Sequence, residues 1–428
     1  MAPLAIVAKH LGADVDGCDR AGLAYSHAAL DQAGISVYPE HSAAHLKSGA
    51  TLVATSIAPS ANDEISAARA AGPVLHRTDL LAAVLAARPG VGVTGSHGKG
   101  TVTTLTTAAL AAAGLDPMAL VGANVPEFGG VARLGDGPLI AEVDDSDLTL
   151  ARVATRIAVV TNLDDDHPHL NIPLHRVVAA VGEFVSRATD RVILGPSPRS
   201  ARLRSHATAE VWQYGSDFRS RTLAIGGGET RLELSAPGVP PTEAVIRLVG
   251  AATAANAGLA FASAIALGAD PGAAAHGLGT VTTIGRRMEM VGVRDGIVVF
   301  DDFGGKHPIN IRRGLEALRR HFPAGNITAV FEPYGPYLPR WGYRYARALS
   351  HADKVVLLPP KFLSDYSSDV FDAGDWAGAC SADHVVVDGH DSAVRVALSY
   401  SRAGDIVVFF TQINASSSMA SNAAGQPA

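Results

Sequence analysis

The stretch Thr94–Leu110, TGSHGKGTVTTLTTAAL, constrains the chain more than any other. An apolar run, Val91–Val93, leads into it, and a long helical pattern leaves it. A strand, a glycine-rich turn and a helix start bring backbone N–H groups and the positive end of the helix dipole to one point, which favours an anion. Lys99 adds a mobile positive charge there, and Thr101 a hydroxyl suited to Mg²⁺. The fit to the strict nucleotide-loop spacing is imperfect. Val93 stands where that pattern needs a glycine, and Gly100 separates Lys99 from Thr101. A glycine-rich turn with no ligand is the plain alternative.

Two acidic runs favour phosphate binding. AEVDDSD (Ala141–Asp147) and NLDDDH (Asn162–His167) each follow a short apolar strand. Carboxylates at strand ends beside a phosphate loop are where Mg²⁺ would be held. The competing reading is a pair of solvated, aspartate-rich loops. Asp144 and Asp147 read as helix-capping or supporting groups rather than direct ligands.

At 428 residues the chain exceeds one ordinary core. The order of apolar runs and glycine-closed helical stretches gives three consecutive α/β domains. Residues 1–88 form a small Rossmann-like domain, with strands at ADVDGCD, ISVYP, TLVATS and GPVLHR. Residues 89–293 form a P-loop ATPase-type domain, with a more solvent-facing strand pair near 230–250. Residues 294–414 form a second Rossmann-like domain, with strands at GIVVFDDFGG, NITAVFEP, KVVLLPP, DHVVVDG and DIVVFFT. The tail 415–428 carries no core-forming pattern and is expected to be disordered.

Composition excludes several classes. A net charge of −6 with no long basic run argues against a nucleic-acid partner. No apolar stretch approaches the roughly 18 residues that span a bilayer. The two cysteines, Cys18 and Cys380, have no CxxC spacing, which argues against a disulfide scaffold or structural zinc and for a reducing cytoplasm. Cys18, at a strand end, reads as a small buried residue.

Several of these stretches together resemble the Mur ligase superfamily, and most of all its UDP-N-acetylmuramate–L-alanine ligase branch. GVTGSHGKGTVTTL resembles the family's ATP loop, and its Gly-Lys-Gly-Thr order is also similar to the folylpolyglutamate synthetase branch. AEVDDSD resembles the magnesium-binding acidic motif, and VVTNLDDDH the Asn-x-x-x-Asp-His motif. IGRRMEMVG and FDDFGGKHP are similar to the motifs that precede and open the C-terminal domain. NDEISAARAAGPVLHRTDLLA resembles the close of the UDP-binding domain, and FEPYGPYLPRWGYRYARALSHAD a motif of the amino-acid-binding domain. The likeness runs in the family's order along nearly the whole chain.

What the resemblance implies is an ATP-dependent amide ligase with ATP and Mg²⁺ as cofactors. It would phosphorylate a carboxylate to an acyl phosphate and join it to an amino acid, with UDP-N-acetylmuramate and L-alanine in peptidoglycan precursor synthesis as the first reading. By the same resemblance, Gly95, Ser96, His97, Gly98, Lys99 and Gly100 cradle the phosphates. Thr101, Asp145 and His167 would ligate metal, and Lys99, Asp145 and His167 serve catalysis. Asn256 would meet adenine, Arg286 or Arg287 the phosphates and Asp302 the ribose. Lys306, His307 and Arg340 would face the substrates. Its partners would be these small molecules, with the chain a monomer or homodimer.

Departures from the family pattern matter too. No lysine occurs between Lys99 and Lys306, so the carbamylated lysine of several Mur ligases has no place here. The family's first strand and glycine loop precede the helix that begins here at Met1–Ala2–Pro3. A truncated start and a loss of UDP recognition are the two readings, and either leaves unpaired strand flanks in the sheet. Asp145 replaces a glutamate, and FDDFGGKHP has an extra glycine and a lysine for a histidine. A paralogue acting on another carboxylate and amino acid, a P-loop ATPase without amide product, and a non-catalytic nucleotide binder are the alternatives.

Overall fold

The computed structural model describes residues 1–19, 24–56, 58, 62–88, 90–166, 168–250, 253–304, 306–361 and 378–412. The tail expected from residue 415 lies outside them.

The first domain runs through α1 (Ala2–His10), β1 (Gly17–Cys18), α2 (Ala24–Gln32), β2 (Val37–Tyr38), β3 (Val53–Ala54), α3 (Asp63–Ala71), β4 (Leu75–His76) and α4 (Arg77–Ala87). Asn62 caps α3 by accepting from the Ile65 N–H at 3.1 Å. A reciprocal capping box, His76 with Asp79, starts α4. β1 pairs with β2 and β3 with β4, all parallel, but among the described residues the two ladders do not join. Helix packing ties the domain to its neighbour. Leu4 and Val7 of α1 and Val84 and Leu85 of α4 share a core with Met118 and Leu120 of the next domain.

The central domain holds β5 (Val91–Thr94), α5 (Lys99–Ala112), β6 (Met118–Val125), β7 (Gly130–Arg133), β8 (Leu139–Glu142), β9 (Thr155–Val160), α6 (Leu174–Ser186), β10 (Ala188–Leu194), α7 (Pro198–Arg202) and β11 (Glu210–Gln213). Its sheet has seven strands in the order β11-β10-β9-β5-β8-β6-β7, parallel except for β7. β5 lies in the middle and is buried along its length. A strand covered on both faces reads as an uninterrupted apolar run, as VGVT does. Val93 aligns with Glu142 of β8 and with Val159 of β9, so all three strands end at one edge. β12 (Arg219–Gly226), β13 (Glu229–Ala236) and β14 (Val239–Ile246) form an antiparallel meander, followed by α8 (Thr253–Ala266) and α9 (Pro271–Leu278). The expected solvent-facing pair is therefore three strands. β12 escapes a sequence reading because nearly all of it is exposed and it carries no apolar alternation.

The last domain runs through β15 (Glu289–Arg294), β16 (Ile297–Asp301), α10 (Pro308–His321), β17 (Ile327–Phe331), α11 (Leu338–Leu349), β18 (Lys354–Leu357), β19 (Asp383–Val386), α12 (His390–Ser399) and β20 (Ile406–Phe410). The sheet order is β15-β16-β20-β17-β18-β19, parallel except for β15. α10 and α11 cover one face and α12 the other. The five expected strands are all present, and β15 is an added edge. Three consecutive α/β domains are thus the architecture. No helix among the described residues is long and apolar enough to cross a membrane.

Candidate active site where the three domains meet

The loop after β5 is shaped by its glycines. Gly95 has φ +125°, and a Cβ there would collide with the Thr161 hydroxyl. Gly98, at φ +86°, is the residue before α5, and a Cβ would lie 2.7 Å from Asn256 Oδ1. The loop between them is pinned to the end of β9. Asn162 accepts from the His97 N–H at 3.0 Å and donates to the His97 carbonyl at 2.7 Å. Ser96 Oγ accepts from the Asp164 N–H at 2.8 Å. A fixed loop at a helix N-terminus presents its N–H groups without reorganisation.

Lys99 sits at the floor. Its Nζ donates to Asp145 Oδ1 at 2.8 Å and to the Gly95 carbonyl at 2.7 Å. Burial alone would lower the ammonium, but the carboxylates of Asp145, Asp144 and Glu142 outweigh it and hold it above the ordinary lysine range. Asp144 is held well below the usual carboxylate range. Burial pushes it up, and the Lys99 and Arg77 charges more than reverse that. Arg77, the first residue of α4, reaches Asp144 at 2.5 Å and Asp147 at 3.3 Å. Asp147 also accepts from the Thr149 N–H at 3.0 Å.

These groups open onto a cavity of ≈ 680 Å³ walled by all three domains. Of the residues singled out in the sequence, Ser96, His97, Gly98, Lys99, Gly100, Thr101, Asn256, Arg287, Asp302, Lys306 and His307 line it. Four do not. Gly95 lies behind the loop and accepts from Lys99. Asp145 is buried beneath Lys99 with its carboxylate taken by that ammonium. Arg286 turns away, at φ +58°, donating to the Thr411 carbonyl at 2.9 Å and lying over the Phe303 ring. Arg340 is half-exposed and paired with Asp165. His167 lies outside the described residues.

Sequence reasoning missed four wall residues. Glu142, the last residue of β8, points its carboxylate between Gly100 and Gly122. A Cβ on Gly122 would stand 2.7 Å from Glu142 Oε2 and one on Gly100 3.3 Å from it. The Glu142 carboxylate makes no hydrogen bond among the described residues, and with the Thr101 hydroxyl it offers hard oxygen donors beside the phosphate loop, a set that fits Mg²⁺. Glu142 ends an uninterrupted buried run, Leu139–Ala141, so nothing within β8 itself marks it. Asn162 was visible inside its motif. Arg77 and Arg313 carry no local signal.

The far wall comes from the last domain. Arg287 reaches the cavity past Gly304, where any Cβ would strike its guanidinium. This explains one glycine of the FDDFGGKHP stretch. Burial pushes Asp302 up to about 6 against the pull of Arg287. Lys306 is lowered to about 8, by burial first and then by Arg287 and Arg286, and its Nζ lies over the Phe303 ring at 4.1 Å. His307 caps α10, Nδ1 accepting from the Ile309 N–H at 3.1 Å, and its other ring nitrogen faces the Asp165 carbonyl at 3.3 Å. Its ring meets His97 edge-on at 4.7 Å and Trp341 at 4.5 Å. The phosphate loop and the last domain therefore touch directly.

Family models match the chain in the same three pieces. The Mur ligase family catalytic-domain model covers residues 1–89, the Mur ligase middle domain 93–264 and the Mur ligase glutamate ligase domain 286–412. A UDP-N-acetylmuramate–L-alanine ligase from Kineococcus radiotolerans is 36% identical over 84% of this chain and 79% of its own. One from Rubrobacter xylanophilus is 32% identical over 91% of this chain and 86% of its own. Among solved structures, the UDP-N-acetylmuramate–alanine ligase of Thermotoga maritima superposes with a TM-score of 0.83 at 22% identity, covering 100% of this chain and 97% of that one, an agreement in fold. With matching domains in matching order around one phosphate-loop cavity, the chain belongs to the Mur ligase family of ATP-dependent carboxylate–amine ligases.

Proposed function

We propose that the chain joins UDP-N-acetylmuramate to L-alanine at the expense of ATP, in the cytoplasm, as a step of peptidoglycan precursor synthesis. The observation that carries this reading is the single cavity with a phosphate loop on one wall and Arg287, Lys306 and His307, from another domain, on the wall opposite. Curated relatives named for that reaction support the substrates.

The γ-phosphate lies over the N–H groups of residues 97–100, with Lys99 swinging from Asp145 to its oxygens. A carboxylate oxygen of the first substrate bonds to the γ-phosphorus as the bridging P–O bond breaks, and ADP leaves. The amine then bonds to the acyl carbon, the acyl C–O bond breaks, phosphate leaves and the amine sheds a proton. Lys306 and Arg287 hold charge on the phosphate through both steps. Thr101 and Glu142 would hold Mg²⁺, with Asp144 beside them. When bound, Mg²⁺ neutralises charge on the transferring group. Asn256 meets the nucleotide at the rim.

The test is a coupled ADP-release assay. ADP should accumulate over many turnovers only with both UDP-N-acetylmuramate and L-alanine. Release that needs neither the amine nor the carboxylate would overturn the ligase reading. A second reading, a paralogue with another donor and amino acid, is favoured by Arg340 being engaged with Asp165. Turnover on another member of an amino-acid panel, but not on L-alanine, decides for it.

A further inference from the structure

One cluster of side chains lies outside the cavity and has no part in the ligase reaction. Cys18 ends β1, His41 follows β2 and Glu64 lies in the first turn of α3. Cys18 Sγ is 2.8 Å from His41 Nδ1 and 2.8 Å from Glu64 Oε2, and the latter two atoms are 3.7 Å apart. No other group of three metal-ligand side chains converges this way among the described residues. None of the three lines the 680 Å³ cavity.

We propose that Cys18, His41 and Glu64 bind a thiophilic divalent cation, Zn²⁺ in the first place, as a separate site in the first domain. A thiolate, an imidazole nitrogen and a carboxylate oxygen form a donor set suited to zinc, and neither Mg²⁺ nor Ca²⁺ takes sulfur. Tetrahedral zinc sets its donor atoms roughly 3.5 Å apart. His41 and Glu64 already stand at that spacing, and the sulfur need only swing outward about its χ1.

Burial makes the case stronger. Glu64 is 6% exposed, and a carboxylate so buried needs a strong partner. A thiol is a weak donor, and among the described residues the base that faces Glu64 is His41, at 3.7 Å. A cation at the centre satisfies all three groups together. Cys18 ends β1 and His41 follows β2, at the edge where parallel sheets place ligands. With three protein donors one position stays open for water or a substrate oxygen. Cysteine spacing argues against structural zinc because it reads only local patterns. The ligands come from three separate segments, which no local spacing reveals.

Full-length protein, stripped with chelator and reloaded with Co²⁺, provides the test. Wild type and Cys380→Ser should show a sulfur-to-cobalt charge-transfer band, and Cys18→Ser should lack it. His41→Ala and Glu64→Gln should weaken metal binding by more than the roughly 10–100-fold lost with an outer-sphere partner. Because these variants can disturb folding, the Cys380→Ser protein is also alkylated with iodoacetamide. Zn²⁺ should slow modification of Cys18. No band in wild type, a band that survives Cys18→Ser, or alkylation indifferent to Zn²⁺ would each overturn the proposal.

Discussion

Lys99 and Asp145 form a buried pair whose two duties separate by mutation. Lys99→Ala should lower turnover by roughly 10²–10³-fold or more, and the unpaired Asp145 should cost on the order of 3 kcal/mol of stability. Adding Asp145→Ala should restore much of the melting temperature and none of the turnover, as calorimetry and the ADP assay can read. Lys306 gives a pH prediction. Its ammonium is lost near pH 8 in the folded protein rather than at 10.5, so kcat/KM in wild type should fall through about pH 8. Lys306→Arg stays charged, and its alkaline limb should be flat. Stability moves the other way. Between pH 8 and 10.5 the unfolded lysine binds the proton that the folded one has lost, so this group's contribution to stability rises with pH. Lys99 was legible because glycines on both sides leave a lysine little structural use. Glu142 was hidden because its value depends on the register of β8 against β5, which no single stretch encodes.

The start of α5 depends on Gly98, where φ +86° and the nearness of Asn256 both exclude a side chain. Gly98→Ala should cost about 1–2 kcal/mol for the left-handed backbone alone and abolish ATP binding by calorimetric titration. Gly304→Ala should behave differently. The group in its way is the far end of the Arg287 side chain, so the fold should hold and KM for ATP should rise. A fall in melting temperature without a change in KM would remove Arg287 from the nucleotide site. Elements covered on both faces, such as β5, β9 and β20, were legible as plain apolar runs. β6 was not, because Gly122 reads as a turn. It is there because Glu142 occupies the space a side chain would take. α4 was missed for a different reason, since its alanine-rich sequence has no apolar periodicity to read.

At the scale of the molecule, the order of motifs made the family legible. The cavity was not, because its walls come from three domains whose mutual placement no motif specifies. Arg340 illustrates this. Alone it read as a substrate contact, whereas across the domain boundary it pairs with Asp165. Arg340→Ala should therefore alter KM for the amino acid by at most roughly fivefold, the worth of an exposed ion pair. A hundredfold rise confined to that KM would return Arg340 to the substrate. The edge-on rings of His97, His307 and Trp341 span the same boundary. Trp341 is fully buried, two rings from the phosphate loop, while Trp212 lies beside Arg191 at the other edge of the central sheet. The molecule thus carries its own optical gauge. Light emitted by Trp341 should shift when nucleotide fills the loop, and nucleotide occupancy can be followed without a label.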